Sequence, residues 1–357
     1  MTAQAIRRPT SWARDAARQL LLDRSLDHWL HTIDPVLSLS VGRARVTRIR
    51  DETHDVKTFT LAPNRRWRGH RAGQYCVIGV EIDGVQQRRC YSLSSPPGAV
   101  EITVKRVPNG LVSGWLHDHT RVGDVVECSR AAGDFVVPPA PPDKLLLYTG
   151  GSGVTPAMSI IRDLDRRDQI GDVVFIHHAR SRRDVIFADE LAELAARRPQ
   201  LRLIVRLDDQ PGAHGRDWLA AEVPDFAQRS AYLCGPSGLM AAVEARWRRA
   251  GASARLTIER FASPQPPATA AGDTVALALT RSGRALTAAT DRSLLDSIIA
   301  SGAPVKYGCQ MGICKTCVCR KRTGTVRDTL TGALSSAADE DIRLCVSAPT
   351  TDIELAL

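Results

Sequence analysis

No stretch of this 357-residue chain approaches the ~18 consecutive apolar residues that a membrane-spanning helix needs. Runs such as LLLY (145–148) are far shorter. The N-terminus lacks a basic flank leading into an apolar stretch, so no secretory signal is expected. No long block of basic residues occurs either, although the net charge is +9. Residues 270–357 hold ten basic and nine acidic side chains and residues 1–35 hold five and four, so the excess lies mid-chain. That distribution speaks against a nucleic-acid stripe and for phosphate-bearing small ligands. A nucleophile motif is also missing. Apolar residues at 43% and charged residues at 24% exclude a disordered or fibrous chain. At roughly 150 residues per domain, two to three domains are predicted. A cytoplasmic protein is expected, and a monomer.

Cysteine is not scarce. Nine occur, at 76, 90, 128, 234, 309, 314, 317, 319 and 345. Their odd number and crowding near the C-terminus argue against a disulfide framework and for metal or redox chemistry.

The hydrophobic pattern changes along the chain. Trp12, Ala16, Leu20, Leu26, Trp29 and Leu30 recur at helical spacing over 11–31, which predicts one or two amphipathic helices before Pro35. Such a helix packs on the body of the protein or docks on a membrane surface or partner. From about 42 to 138, ARVTRIR, VKTFTL, QYCVIGVEI, RRCYSLS, VEITVKRV and DVVECSR alternate with turns. They predict an antiparallel β-barrel of about six strands. From 143 to 262 strands (KLLLYTG, DVVFIHHA, LRLIVRLD, AYLCG) alternate with helices, the signature of a parallel α/β sheet. A Pro- and Ala-rich linker follows, then a hairpin, a helix, a Cys-rich loop and a closing strand, DIELAL, forming a small α+β domain. The expected boundaries are 1–38 for the helical segment, 39–141, 142–262, 263–271 for the linker, and 272–357.

Cys309, Cys314 and Cys317 stand as C-x4-C-x2-C in KYGCQMGICKTC, and Cys345 follows in RLCVSAP. This is the plant-type spacing for a 2Fe-2S cluster, which needs four thiolates. Zinc sites usually place cysteine pairs in both halves, and here the second half offers one. Cys319 fits no ligand position. Upstream, RRCYSLSS supplies an Arg, an aromatic ring and hydroxyls that can hold a phosphate and a planar ring. TGGSGVTP (149–156) lies between a strand and a helix, where its N–H groups can meet a diphosphate.

Residues 272–357 resemble a plant-type ferredoxin domain of β-grasp fold. The barrel and α/β segments resemble the ferredoxin–NADP reductase superfamily. The resemblance implies FAD held by Arg89 at its phosphates, Tyr91 stacked along it and Ser92 near its reactive nitrogen, with Gly110 and Ser113 at the pyrophosphate. It implies a nicotinamide nucleotide at Gly150, Gly151, Gly153, Thr155 and Pro156 and at Gly235 and Pro236. The resemblance also implies Cys234 near the hydride-transferring carbon and Phe261 near the flavin, with Ser92, Cys234 and Glu259 as the catalytic set. Gly73-Gln74-Tyr75 and Gly133-Asp134-Phe135 match further family positions.

The domain order is that of reductases serving oxygenases, and the N-terminal segment resembles those feeding membrane fatty-acid desaturases or alkane hydroxylases. Electrons are then expected to pass from NADPH through FAD and the cluster to such a partner, at the inner membrane face where the partner is membrane-bound. The other readings are an NADH-dependent reductase of a ring-hydroxylating oxygenase or a cytochrome P450, and a non-enzymatic redox sensor. NADPH is expected over NADH because strand 173–179 runs into Arg180, Ser181 and Arg182, which suit a 2′-phosphate. Alternatively that loop is a solvated basic turn, or Asp184 turns inward and serves NADH.

Overall fold

A computed structural model describes residues 23–209, 218–261 and 273–308, together with 310, 312 and 315–357. Among the described residues no helix is long and apolar enough to cross a membrane. Helix α1 (Asp23–Ile33) covers the end of the expected N-terminal helix; the pattern around Trp12, Ala16 and Leu20 lies outside the described residues. Polar contacts tie α1 to the segment that follows it. Asp27 accepts hydrogen bonds from the Leu39 amide at 2.6 Å and the Ser38 hydroxyl at 3.3 Å.

All six strands expected between 42 and 138 form. They are β1 (Arg43–Thr53), β2 (Val56–Pro63), β3 (Tyr75–Ile82), β4 (Val85–Ser92), β5 (Glu101–Lys105) and β6 (Val125–Cys128), in the antiparallel order β4-β3-β6-β1-β2-β5. A Leu93–Ile102 bridge brings the two edges together and closes the barrel. Period-2 alternation sends Ile78 and Val80 from β3, and Ile102 and Val104 from β5, into one core with Phe59 and Leu61. Helix α2 (Leu111–His119) covers one end through Val112 and Leu116.

The α/β part contains β7 (Lys144–Gly150), α3 (Val154–Arg166), β8 (Asp172–Ala179), α4 (Ala188–Arg197), β9 (Leu201–Leu207), α5 (Trp218–Glu222), β10 (Ser230–Cys234), α6 (Ser237–Arg249) and β11 (Leu256–Glu259). Its five strands are parallel, in the order β11-β10-β7-β8-β9. Because both faces are covered, β7 and β8 are almost wholly buried. Residues of α3 and α4 pack in the core on one face and those of α5 and α6 on the other. Strand β11 and helix α5 are elements the hydrophobic pattern misses, since four or five residues are too few to show a period.

Barrel and α/β sheet are fastened together. Ser159 of α3 donates to the Ser95 carbonyl at 2.6 Å and accepts from the Gly73 amide at 3.2 Å. Arg162, one turn on, donates to the Ser94 carbonyl at 2.7 Å while its other nitrogens grip Glu190 of α4 at 2.6 and 2.7 Å. Gly73 must be glycine, since a Cβ there would lie 1.9 Å from the Phe135 carbonyl oxygen and its φ is +91°.

The third part is a mixed sheet, β13-β12-β19-β14-β17, with a small side sheet, β16-β15-β18. Its strands are β12 (Thr274–Leu279), β13 (Arg284–Ala289), β14 (Val318–Thr323), β15 (Val326–Asp328), β16 (Leu334–Ser335), β17 (Glu340–Arg343), β18 (Ser347–Pro349) and β19 (Ile353–Leu355). Helix α7 (Leu294–Ala300) buries Leu294, Leu295 and Ile298 in its core and is capped by the Ser293 hydroxyl, which accepts from the Asp296 amide at 3.1 Å. This is the expected α+β unit, so the three-part class of antiparallel barrel, parallel α/β sheet and α+β domain is the fold observed.

Lys321 on β14 is fully buried. Its ammonium donates to the carbonyls of Gly324, Ser335 and Ala337 at 2.9, 3.1 and 2.8 Å, with Glu340 at 3.5 Å. All three donor hydrogens are therefore used to tie β14 to the loops around the side sheet. A Lys321→Met variant keeps the length and leaves those carbonyls without a donor. It should destabilise the third part by about 3 kcal/mol in denaturant unfolding followed by loss of visible absorption. A loss under about 1 kcal/mol would show that the ammonium is dispensable.

Candidate functional site

Strand β4 ends at Ser92 and strand β11 ends at Glu259, and these two last residues meet. The Ser92 hydroxyl donates to Glu259 Oε2 at 2.9 Å. Parallel pairing places Cys234 beside Glu259 on one side and Thr149 on the other. The sequence-predicted catalytic set is thus brought together, with Ser92 and Cys234 buried and Glu259 half-buried. Burial raises the Glu259 carboxyl to about 7, against the lowering effect of the Ser92 hydroxyl. Burial, reinforced by the negative charge of Glu259, pushes the Cys234 thiol up. Phe261, two residues beyond Glu259, is partly exposed.

The glycine-rich segment links β7 to α3 through a tight 3₁₀ turn, Gly151–Gly153. A Cβ at Gly153 would fall 2.2 Å from the Cys234 carbonyl oxygen, so glycine lets the turn press against the end of β10. Thr155 and Pro156 are buried, and the Thr155 hydroxyl donates to the Ser152 carbonyl at 3.0 Å. Pro236 caps α6, with Gly235 before it. These segments border a cleft of about 1080 Å³, lined among others by Gly150, Gly151, Pro236 and Gly238. The first amides of α6 have no partner within the helix and suit a diphosphate, whereas at the start of α3 the Val154 amide is held by the Gly151 and Ser152 carbonyls and Pro156 has no N–H.

The flavin side is built from the end of β4 and the start of α2. Tyr91 is half-buried, packed against the barrel core, and burial raises its phenol. Arg89 Nη1 donates to the carbonyls of Arg88 and Gly308 at 2.8 and 3.2 Å. Gly110 forms the N-cap of α2. The Ser113 hydroxyl accepts from the Val107 amide at 3.1 Å and donates to the Gly110 carbonyl at 3.3 Å. It therefore shapes the turn, and the donors available to a pyrophosphate there are the first amides of α2. Arg89, Tyr91, Ser92 and this helix start provide a cation, an aromatic ring, a hydroxyl and amides, a donor set that fits FAD.

The turn after β8 is organised around an acid. Asp184 is buried and accepts from Ser181 Oγ and Arg180 Nη2, both at 2.6 Å. The Ser181 bond first, and then the Arg180 guanidinium, hold its carboxyl below the usual range. Arg180 is 64% exposed and lines the cleft; Arg182 is exposed and is not among the lining residues. The sequence reading missed the rest of this wall. Tyr148 and His178 stack with centroids 5.4 Å apart, Trp218 meets His178 edge-on at 5.6 Å, and Lys105, Arg246 and Arg249 add basic groups to the cleft. Aromatic and basic side chains from five separate elements leave no contiguous motif.

In the third part Cys317 and Cys345 are buried in one core. The Gly312 amide donates to Cys345 Sγ at 3.2 Å, as backbone amides do toward cluster sulfurs. Gly312 has φ +76°, a conformation glycine adopts freely. Arg343 donates to the Gly312 carbonyl at 2.8 Å and braces the loop. This geometry fits a 2Fe-2S cluster; Cys309 and Cys314 lie outside the described residues. Cys319 points into the core from β14, and burial raises its thiol.

Comparison with known proteins agrees with this geometry. The family described as "Oxidoreductase FAD-binding domain" matches residues 43–137, "Oxidoreductase NAD-binding domain" matches 147–245, and "2Fe-2S iron-sulfur cluster binding domain" matches 277–350. An NADPH oxidoreductase of Mycobacterium tuberculosis is 38% identical over 336 residues, covering 92% of this chain and 88% of that protein. The glycine betaine monooxygenase reductase subunit of Chromohalobacter salexigens is 32% identical, covering 87% and 94%. The structure of phthalate dioxygenase reductase superposes with a TM-score of 0.62 at 24% identity, covering 88% of this chain and 97% of that one, a likeness of fold.

Two predictions follow from the site chemistry. Serine in place of Cys309, Cys314, Cys317 or Cys345 should abolish the visible absorption of the cluster, whereas Cys319→Ser should keep it; the reverse pattern for Cys319 and Cys345 overturns the ligand set. Glu259 binds its proton more tightly when folded, at about 7 against a usual 4.5. The unfolded chain therefore loses that proton first, and stability falls as pH rises from about 4.5 to about 7. Relative to Glu259→Gln, the wild-type chain should lose about 3 kcal/mol across that window. Parallel stability curves for the two would refute a buried, protonated Glu259.

Proposed function

The chain belongs to the flavoprotein reductases that join FAD-binding, NAD-binding and 2Fe-2S domains in that order, and from that membership we propose how its residues share the work of an NAD(P)H-dependent electron-transfer oxidoreductase. The observation that carries the reading is the Ser92–Glu259 contact beside Cys234, which joins the flavin-binding barrel to the nicotinamide-binding sheet. A bound FAD, held by Arg89, Tyr91 and the start of α2, would supply the conversion of a two-electron hydride donor into single electrons for a 2Fe-2S cluster. The protein binds, orients and seals. The turn at Gly150–Gly153 and the start of α6 hold the nucleotide, Tyr91 and Arg89 hold the flavin, and Ser92 keeps its proton directed at Glu259. The buried walls around Cys234 and Thr155 exclude water from the transfer.

The terminal acceptor is an oxygenase-type partner, in keeping with a relative that serves a monooxygenase. We place a membrane fatty-acid desaturase or alkane hydroxylase first, on the N-terminal segment. The exposed Trp29 and Ile33 of α1 support that choice. Residues 39–141, 142–262 and 272–357 act as the flavin, nucleotide and cluster domains. NADPH is the preferred donor. The basic wall of Lys105, Arg180, Arg246 and Arg249 supports this, as does the similarity to an NADPH oxidoreductase. Asp184 has turned inward, but Ser181 and Arg180 occupy its oxygens, so a ribose hydroxyl would have to displace one of them.

The test is kcat/KM for NADPH and NADH with cytochrome c or ferricyanide as acceptor. Wild type should favour NADPH by about tenfold or more, one charge-assisted contact contributing about 1.5–3 kcal/mol. Arg180→Ala should lower the NADPH value about tenfold more than the NADH value, with a smaller effect for Arg182→Ala. Equal values for the two nucleotides on wild type refute the preference. A cluster-loaded protein with no turnover on either refutes the enzyme and leaves the redox sensor.

A further inference from the structure

We propose that Arg89 is a positioning residue that fastens the cluster loop of the 2Fe-2S domain to the flavin edge of the barrel, and so orients the cluster for electron transfer. The inference rests on the electron path proposed above and goes beyond the flavin-binding role that family likeness gives this arginine.

Arg89 lies on β4, the edge strand of the barrel sheet. Its Nη1 donates to the Gly308 carbonyl at 3.2 Å as well as to the Arg88 carbonyl at 2.8 Å. Gly308 is buried and directly precedes Cys309. A guanidinium carries five N–H donors in a rigid fork. The two hydrogens of Nη1 are engaged by these carbonyls, which leaves Nε and Nη2 for an anion. One side chain can therefore hold a flavin phosphate and the cluster loop together. Ser92 is three residues along the same strand, about 10 Å at the rise of a β-strand, and it contacts Glu259. The contact to Gly308 thus brings the cluster loop close to the flavin-facing end of β4.

Gly312, four residues beyond Gly308, is itself braced. Gly312 donates to Cys345 Sγ, and Arg343 holds the Gly312 carbonyl. The linker raises the local concentration of the 2Fe-2S domain around the barrel but does not orient it; an oriented contact must do so. The step served is a one-electron transfer. Reduced FAD loses one electron, one ferric iron of the cluster becomes ferrous, NAD(P)H is the source, and no bond forms or breaks at Arg89.

The experiment uses the full-length chain loaded with FAD and cluster, as wild type and as Arg89→Lys, which keeps the charge and loses the fork. Stopped-flow absorbance separates reduction of the flavin by NADPH from reduction of the cluster. Within the flavin-containing fraction, cluster reduction relative to flavin reduction should slow about tenfold in the variant, the scale of one lost charge-assisted hydrogen bond. Hydrogen–deuterium exchange over residues 303–308 should also become faster in the variant, and it should do so in FAD-free chain, where flavin binding makes no contribution. If the variant's cluster keeps pace with its flavin, or its exchange over 303–308 in FAD-free chain matches wild type, the proposal is overturned. Failure of wild-type flavin to be reduced by NADPH or NADH would refute the electron path instead, and the exchange comparison would still decide the role of Arg89.

Discussion

Two strand ends define this molecule. Ser92 closes the last strand of one hairpin in the barrel and Glu259 closes the edge strand of the parallel sheet, and the hydrogen bond between them fixes where the two parts face each other. A barrel that presents a flavin and a sheet that presents a nicotinamide are useful only if the rings meet, and the meeting place must be dry. The contact supplies both conditions. Burial raises the Glu259 carboxyl to about 7, so near neutral pH the junction carries less negative charge than an ordinary carboxylate would.

The remaining contacts divide into firm and yielding ones. Ser159 and Arg162 of α3 reach the barrel carbonyls at Ser95 and Ser94, and Tyr232 reaches Val136 at 3.1 Å. Hydride transfer tolerates little misalignment, and this half of the molecule is braced accordingly. Among the described residues, the 2Fe-2S domain meets the barrel through the hydrogen bond from Arg89 Nη1 to the Gly308 carbonyl. An electron can cross a looser junction than a hydride can. A domain that must also present its cluster to a second protein gains from a hold that is oriented but weak.

Much of this was legible in the residues. Alternation in the barrel strands and unbroken apolar runs in β7 and β8 are local patterns, each formed within a few residues of chain; the spacing of Cys309, Cys314 and Cys317 is a local pattern too. Ser92, Cys234 and Glu259 were legible through family likeness, which carries long-range information that local periodicity lacks. Asp184 shows the limit. Whether it pairs with Arg180 or is offered to a ribose is decided by the path of a short turn, and both outcomes fit Arg-Ser-Arg-Arg-Asp. Lys321 shows it again. In Val-Cys-Arg-Lys-Arg-Thr a lysine reads as a solvated strand residue, yet carbonyls three, fourteen and sixteen residues away enclose it. The Tyr148, His178 and Trp218 wall is assembled from two strands and a helix up to 70 positions apart.

The burial of the cysteines has a consequence for how the protein withstands its own chemistry. Cys76, Cys128, Cys234 and Cys319 are enclosed in the cores. The neighbouring Cys128 together with burial raises the thiol of Cys76, and burial raises those of Cys234 and Cys319. A thiol kept protonated and out of reach is a poor target for peroxide and for alkylating agents, because the thiolate is the reactive form. The interior of this electron carrier is therefore built to resist sulfenic and sulfinic acid damage, and its oxidative ageing should begin at the rim, where Cys90 is half exposed.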